Sequence, residues 1–292
     1  MESRPDYLVL GHVSKDLLPG DGGARAGGTA TYSAIAAQRL GLQAAVVTSM
    51  AQEDEGLLRE AREEGVWIHA VPSDQTTTFL NVYDSEGRRT QLLKGRADVI
   101  EWSDVPIDWR GASIVHLGPV AQELSADLPA RFPYGLLGIT PQGWLRTWDA
   151  AGHVGQSAWP VPEALRNLPA NAFLVLSVED LAYRQELVES YIELAPLVAI
   201  TAGADEAGLY GGRGRKRAAV PAVAADVLDL TGAGDVFATA LLVRYRETGD
   251  PEEAARFAHA AAACSIEGIA TERIPTRETV LKRLLGNVKR KT

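Results

Sequence analysis

Short apolar runs recur along this chain at Tyr7–Leu10, Ala44–Thr48, Ile114–Leu117, Leu136–Ile139, Phe173–Leu176 and Leu197–Ile200. A strand wetted on one side alternates apolar and polar residues, whereas a strand covered on both faces has no need to. Runs of this kind ask for a sheet buried between two layers. Helical stretches separate several of them: Thr31–Leu40 ending at Gly41, Glu55–Glu64 ending at Gly65, Asp180–Ile192, and the Ala-rich Glu252–Ile266. Strand and helix in alternation predict an α/β fold with a mostly parallel central sheet. With 292 residues and 46% apolar content the chain can fill a large core, although length alone does not separate one domain from two.

One region breaks the alternation. Residues 76–83, a turn at Asp84–Gly87, and residues 88–93 read as a β-hairpin, an antiparallel excursion from the main sheet. It serves equally as an ordinary edge hairpin or as a cover over a site. The net charge of −9 argues against a general affinity for nucleic acid or anionic membrane. Two basic clusters run against that balance. Arg213–Arg217 reads as a solvated hairpin tip and Lys289–Lys291 as a solubilising tail. Cys264 is the single cysteine, which excludes an intrachain disulfide and a cysteine zinc cage; its Ala-rich setting suits a small buried thiol. No segment approaches the length of a membrane span, and the first residues do not resemble a secretory signal, so a cytoplasmic location is expected.

The segment Asp229-Leu230-Thr231-Gly232-Ala233-Gly234-Asp235 runs straight into an apolar helical stretch from Val236 to Leu242. Small residues at a helix start leave backbone N–H groups and the positive end of the helix dipole facing one point. An anion held there would have Asp235 beside it as a proton acceptor, and phosphoryl transfer to a hydroxyl needs both parts. The plainer reading is a Gly-rich turn with Asp235 stabilising the helix start. Asp16, after the first strand, lies where open α/β sheets bind ligands, and a carboxylate suits the neighbouring hydroxyls of a polyol or sugar. It reads equally well as a turn residue. Neither a Gly-x-x-x-x-Gly-Lys-Ser/Thr loop nor a Gly-x-Gly-x-x-Gly turn after the first strand is present, which disfavours P-loop enzymes and nicotinamide-dependent oxidoreductases.

The Asp229–Asp235 segment resembles the signature of the ribokinase-like (PfkB) carbohydrate kinases. Gly27 to Ala37, followed by Leu40-Gly41, resembles that family's N-terminal Gly-Gly motif, and the two stand in the family's order. The resemblance implies a ribokinase-like three-layer α/β/α sandwich spanning residues 1–292 as a single kinase domain. The β excursion around 76–96 would be its small lid. It implies an ATP- and Mg²⁺-dependent kinase of a small sugar, polyol (inositol included) or nucleoside, with a site for a monovalent cation such as K⁺ in some members. Asp235 would be the catalytic base, with Gly232, Ala233 and Gly234 supplying the anion-binding N–H groups. Asp16, Gly27, Gly28 and Tyr32 would hold the substrate. Thr201, Gly203 and Gly208 resemble the family's Thr-x-Gly-x-x-Gly element near the ATP phosphates, with one extra residue before the last Gly. Thr231, Ala263 and Gly268 complete the implied nucleotide contacts, and Asp180 and Asp229 the metal-side oxygens. An exposed β edge on that lid tends to find a partner, so a homodimer is open beside a monomer, though the sequence does not demand one.

Two departures stand out. Many sugar kinases of the family carry Asn where Tyr32 stands, so a ribose-like set of contacts does not transfer intact, and Tyr32 reads equally as core packing. The family's Asn-x-x-Glu is replaced by Ser177-Val178-Glu179-Asp180, where Ser177 alternatively caps the helix that follows. Leu117-Gly118-Pro119 and Gln142-Gly143-Trp144-Leu145-Arg146 resemble, loosely, the inositol-kinase-like branch. A non-catalytic binder that kept the fold is the alternative to an enzyme.

Overall fold

The computed structural model describes residues 4–18, 23–83 and 89–290. In chain order the strands and helices begin with β1 (Tyr7–Leu10), β2 (Ser14–Leu17), β3 (Ala24–Gly27), α1 (Gly28–Arg39), β4 (Ala44–Met50), α2 (Arg59–Glu63) and β5 (Trp67–Pro72). There follow β6 (Thr78–Tyr83), β7 (Arg89–Gly95), β8 (Ile114–Leu117), α3 (Leu128–Arg131), β9 (Leu136–Ile139), α4 (Gln142–Leu145), β10 (Arg146–Trp148) and β11 (Val154–Gln156). The remainder are β12 (Ala172–Ser177), α5 (Gln185–Tyr191), β13 (Leu197–Thr201), β14 (Glu206–Gly211), β15 (Arg215–Pro221), α6 (Ala233–Thr248), α7 (Pro251–Ser265) and α8 (Arg277–Arg290).

The apolar runs form the middle of a nine-stranded sheet ordered β15-β14-β13-β12-β9-β8-β1-β4-β5. All its pairings are parallel except β13 with β14 and β14 with β15. Successive side chains on a strand point to opposite faces, and both faces are filled. Tyr7, Val9, Phe173 and Val175 join the core built with α1, α6 and α7, while Leu8, Leu10, Leu174 and Leu176 join a second core on the other side. This is the layered α/β arrangement that the uninterrupted apolar runs require. Small residues set the spacing of the first layer: Ala254, Ala255, Ala258 and Ala261 of α7 are buried as it packs along α6.

A second, four-stranded sheet has the order β3-β2-β6-β7. The expected hairpin supplies β6 and β7; its turn, Asp84–Gly87, lies outside the described residues. The other half was not anticipated. Residues on either side of Asp16, read as a loop, form β2, which pairs antiparallel with β3 and parallel with β6. Asp16, Arg25 and Gly27 therefore ride on the small sheet. Its outer strand is pinned by the β10–β11 hairpin, since Leu93 N–H donates to Gly152 O at 2.8 Å.

Two expected helices are shorter than their sequences suggest. Glu55–Glu64 becomes a 3₁₀ turn over Gln52–Leu58 followed by α2. The stretch Asp180–Ile192 turns helical only from Gln185. Asp180 accepts hydrogen bonds from Ser177 N and Oγ (2.8 and 2.9 Å), closing a turn, and Ala182 and Tyr183 then take positive φ values of 51° and 58° that no right-handed helix admits. Ser177 thus caps no helix. Arg215, Lys216 and Arg217 are exposed after the tight connection between β14 and β15, as a solvated tip requires, whereas Lys291 of the basic tail lies outside the described residues. Cys264 is buried in α7. Among the described residues no helix is long and apolar enough to cross a membrane.

Candidate active site

Parallel strands end on one edge of a sheet, and the loops leaving those ends converge. Here the loops after β1, β8, β9 and β12 meet the start of α6. Close backbone approach makes this possible. A β-carbon on Gly11 would collide with Gly118 O, one on Gly118 with the Thr29 side chain, and one on Gly143 with the Pro119–Val120 backbone. Buried Glu123 locks two of the loops together, accepting from His12 N (3.0 Å), Val120 N (2.8 Å) and Ala121 N (2.6 Å). Val120 O in turn accepts from Arg146 Nη1 at 2.9 Å, fixing that guanidinium over the Phe79 ring.

Helix α6 starts from Gly232, whose φ of 78° lies in the left-handed region. A β-carbon there would run into the ring of Tyr32, so this glycine is required twice over. Ala233 N–H is turned back onto Leu230 O at 3.2 Å, and Gly232 O accepts from Val236 N. Of the three N–H groups read as an anion hole, Ala233's is therefore engaged within the turn. Gly234 faces open space.

Asp235 sits in the first turn of α6, half-buried, and its carboxyl is raised to about 6. Burial is the main cause. The Thr29 hydroxyl and the Arg146 charge pull the other way, and the Asp180 charge adds to the rise. Asp180 is itself buried and pushed upward by that burial. Asp229 lies at the opposite end of the turn. Its Oδ1 accepts from Thr231 N (2.9 Å) and Oγ1 (2.6 Å), and its Oδ2 from Ala270 N (3.1 Å) and Arg25 Nη1 (3.5 Å). Burial opposes its charge, but those donors outweigh it and hold the carboxyl below its usual range.

Of the residues read as substrate-holding, Asp16 and Gly27 lie against each other. Asp16 accepts from Ser14 Oγ at 2.9 Å, and its carboxylate lies directly over Gly27, where a β-carbon would displace it. Gly28 has a φ of 84° and passes against His12 O. Tyr32 is 1% exposed, which suits packing, yet its hydroxyl has no partner.

The residues read as nucleotide contacts divide. Thr201 ends β13, where its carbonyl accepts from Val178 N at 2.9 Å, and Gly203 takes φ 60° in the short turn into β14. Gly208 stands apart from that turn. It is buried within β14 opposite Ile200, where its bare α-carbon accommodates the Tyr210 ring. Ala263 is buried in α7, and Gly268 leaves space for the Arg273 side chain. The nearby segment 226–229 is stitched to the end of α7 through Leu228 N–H on Ile266 O at 2.8 Å. A cavity of about 500 Å³ opens there between Asp226, Val227, Leu228, Glu267 and Arg273. Leu228 and Leu230 are 71% and 66% exposed beside it.

Thr29, Arg146 and Arg25 reach the site without having been read as site residues. Thr29 and Arg146 fall within segments quoted for the resemblance, but nothing there singles them out, and Arg25 falls in none; their places become visible only once strand order is known. Among the described residues, no three His, Cys, Asp or Glu side chains gather into a metal-ligating group.

Residues 170–277 match the model of the pfkB family carbohydrate kinases. The matched stretch contains the Asp229–Asp235 segment. A cytidine kinase of Thermococcus kodakarensis is 25% identical over 265 residues, covering 86% of this chain and 92% of its own length. The ribokinase-like fold extends over nearly the whole chain. A structure of a pyrophosphate-dependent myo-inositol-1 kinase converted into a myo-inositol-3 kinase superposes with a TM-score of 0.78 at 21% identity, covering 96% of this chain and 99% of that one. Arabidopsis thaliana ribokinase complexed with ribose and ATP gives 0.74 at 22% identity, with the same coverage. The match over residues 170–277 agrees with the resemblance carried by the Asp229–Asp235 segment.

Proposed function

We propose that this pfkB family protein is an ATP-dependent phosphotransferase acting on a hydroxyl of a small polyhydroxylated substrate, a sugar, polyol or nucleoside. One observation supports this above the others. A carboxyl raised to about 6 sits in the first turn of a helix whose N-terminus faces the loops at the sheet's carboxyl edge. A base near neutrality can take the hydroxyl proton as the oxygen attacks phosphorus. The α6 dipole and the N–H groups of Gly232 and Gly234 would steady charge on the transferring group, with Arg146 adding a fixed positive charge near Asp235. The exposed apolar side chains of Val227, Leu228 and Leu230 suit the flat face of a base in the adjoining cavity. The small sheet, with Asp16 and Gly27 on it, would act as the lid that excludes water from the transfer.

Mg²⁺ fits as an ion brought with the phosphates. It keeps several waters and needs only one or two carboxylates, and Asp180, closed onto Ser177, would reach it through water. Asp229 is saturated by four donors, so its part is to shape the turn. The cytidine kinase relative favours a nucleoside, and the inositol kinase neighbour a cyclitol. The test is product formation from Mg·ATP, with pyrophosphate as a rival donor, against myo-inositol, ribose, fructose and cytidine. Turnover with ATP on one acceptor supports the reading. Tight acceptor binding without transfer from either donor would favour a non-catalytic binder.

A further inference from the structure

Two polar groups at the acceptor end of the site are buried and unpartnered, Tyr32 Oη and Arg25 Nε. Tyr32 stands on α1 with its ring against Gly232. Arg25 stands on β3 directly opposite Asp16 of β2 in an antiparallel rung, and residues so paired project from the same face of a sheet. The ends of its guanidinium reach Asp229 Oδ2 and Thr231 Oγ1, each at 3.5 Å. Its Nε–H is left without an acceptor. Next to burial, the charges of Arg25 and then Asp16 weigh most on the Tyr32 hydroxyl. Buried donors without partners are rare in native proteins, and each calls for a reason.

We infer that Arg25 is a specificity residue, adding its Nε–H to the Asp16 and Tyr32 already read as substrate-holding, so that the three together select one hydroxyl of a neutral polyhydroxylated substrate over a phosphorylated one. This rests on reading the Asp16 side of the site as the acceptor pocket. A hydroxyl oxygen has two lone pairs and one proton. Arg25 Nε–H and Tyr32 O–H donate into the lone pairs, and the Asp16 carboxylate accepts the proton. A phosphate oxygen would satisfy both donors but, when ionised, has no proton for Asp16 and brings negative charge up to it. Asp16, Asp229 and Asp235 outnumber Arg25 and Arg146 here, so the pocket selects against a phosphorylated acceptor. The contact also reaches the chemistry, because the Tyr32 ring abuts the glycine from which α6 and Asp235 start.

The test is calorimetric titration of the nucleotide-free protein with myo-inositol, ribose, cytidine, fructose and fructose 6-phosphate. Wild type, Tyr32→Phe and Arg25→Lys are compared, with the melting temperature of each unliganded protein. At least one neutral probe should bind, and fructose 6-phosphate no more tightly than fructose. Each variant should weaken the neutral probe about tenfold. The melting temperature of Tyr32→Phe should not fall, because the hydroxyl has no partner in the free protein. A Tyr32 that serves only packing would leave dissociation constants unchanged. Unchanged constants in both variants, tighter binding of fructose 6-phosphate than of fructose, or no binding of any neutral probe would overturn the inference. Binding of a neutral probe that weakens in both variants, without phosphoryl transfer, would count against the kinase reading alone. Transfer with unaltered Michaelis constants in both variants would count against this inference alone.

Discussion

At the scale of single residues, Asp235 and Gly232 bear the most weight. In the role proposed for it, a base, Asp235 would work only when ionised. With its carboxyl raised to about 6 by burial, kcat/KM should climb with pH and level off above about 6. A pH–rate profile already flat from pH 5 upward would show that Asp235 is not the titrating base. Gly232→Ala places a methyl against the Tyr32 ring at a φ of 78°. A loss of about 1–3 kcal/mol in urea unfolding is expected, and a neutral result would mean the turn can shift. Asp235, the glycines and Asp16 were legible because each changes a local pattern. Thr29, Arg146 and Arg25 were not, since their roles come from strands far apart in sequence placing them side by side.

Among the elements, the apolar strands β1, β8, β9, β12 and β13 were legible because burial on both faces leaves no polar positions to confuse. Strands β2 and β3 were hidden: Ser-Lys-Asp-Leu and Ala-Arg-Ala-Gly are short, polar and without alternation. They are strands only because β6 offers a free edge. The helix read at Asp180 failed for a local reason, the competition of a side chain for the backbone at Ser177. The seam between the small sheet and the β10–β11 hairpin has its own test. Gly152 has a φ of 89° and lies against Leu93 O, so Gly152→Ala should open the seam. Hydrogen exchange should quicken at the Leu93 amide and stay unchanged in β1; equal rates at Leu93 would show that the seam does not depend on this glycine.

For the molecule as a whole, the acid limit of stability follows from its buried histidines. Burial lowers His12 and His259, and takes His116 down to about 3, where it lies between Tyr7 and Thr140. All three are neutral in the fold and protonate more readily once unfolded. Stability is therefore full above about pH 6.5 and declines as pH falls below it. Asp229 and Glu247 extend the decline below pH 4. Burial opposes their charge, but the Thr231 donors in one case and Arg277 and Arg244 in the other hold their carboxyls low. The raised carboxyls of Asp235 and Asp180 work in the opposite direction, being easier to accommodate when protonated. The urea midpoint should drop between pH 7 and 5, and a midpoint independent of pH over that range would mean that the histidines are solvated. At this scale the sequence disclosed a layered α/β chain, whereas the joining of Asp16 to a small sheet required the three-dimensional pairing.

The most direct test is the rate of ADP formation from Mg·ATP with the acceptor that binds best, in wild type and Asp235→Asn. Turnover should fall by about 10²–10⁴-fold in the variant, with nucleotide affinity little changed. Turnover of Asp235→Asn close to that of wild type would contradict it.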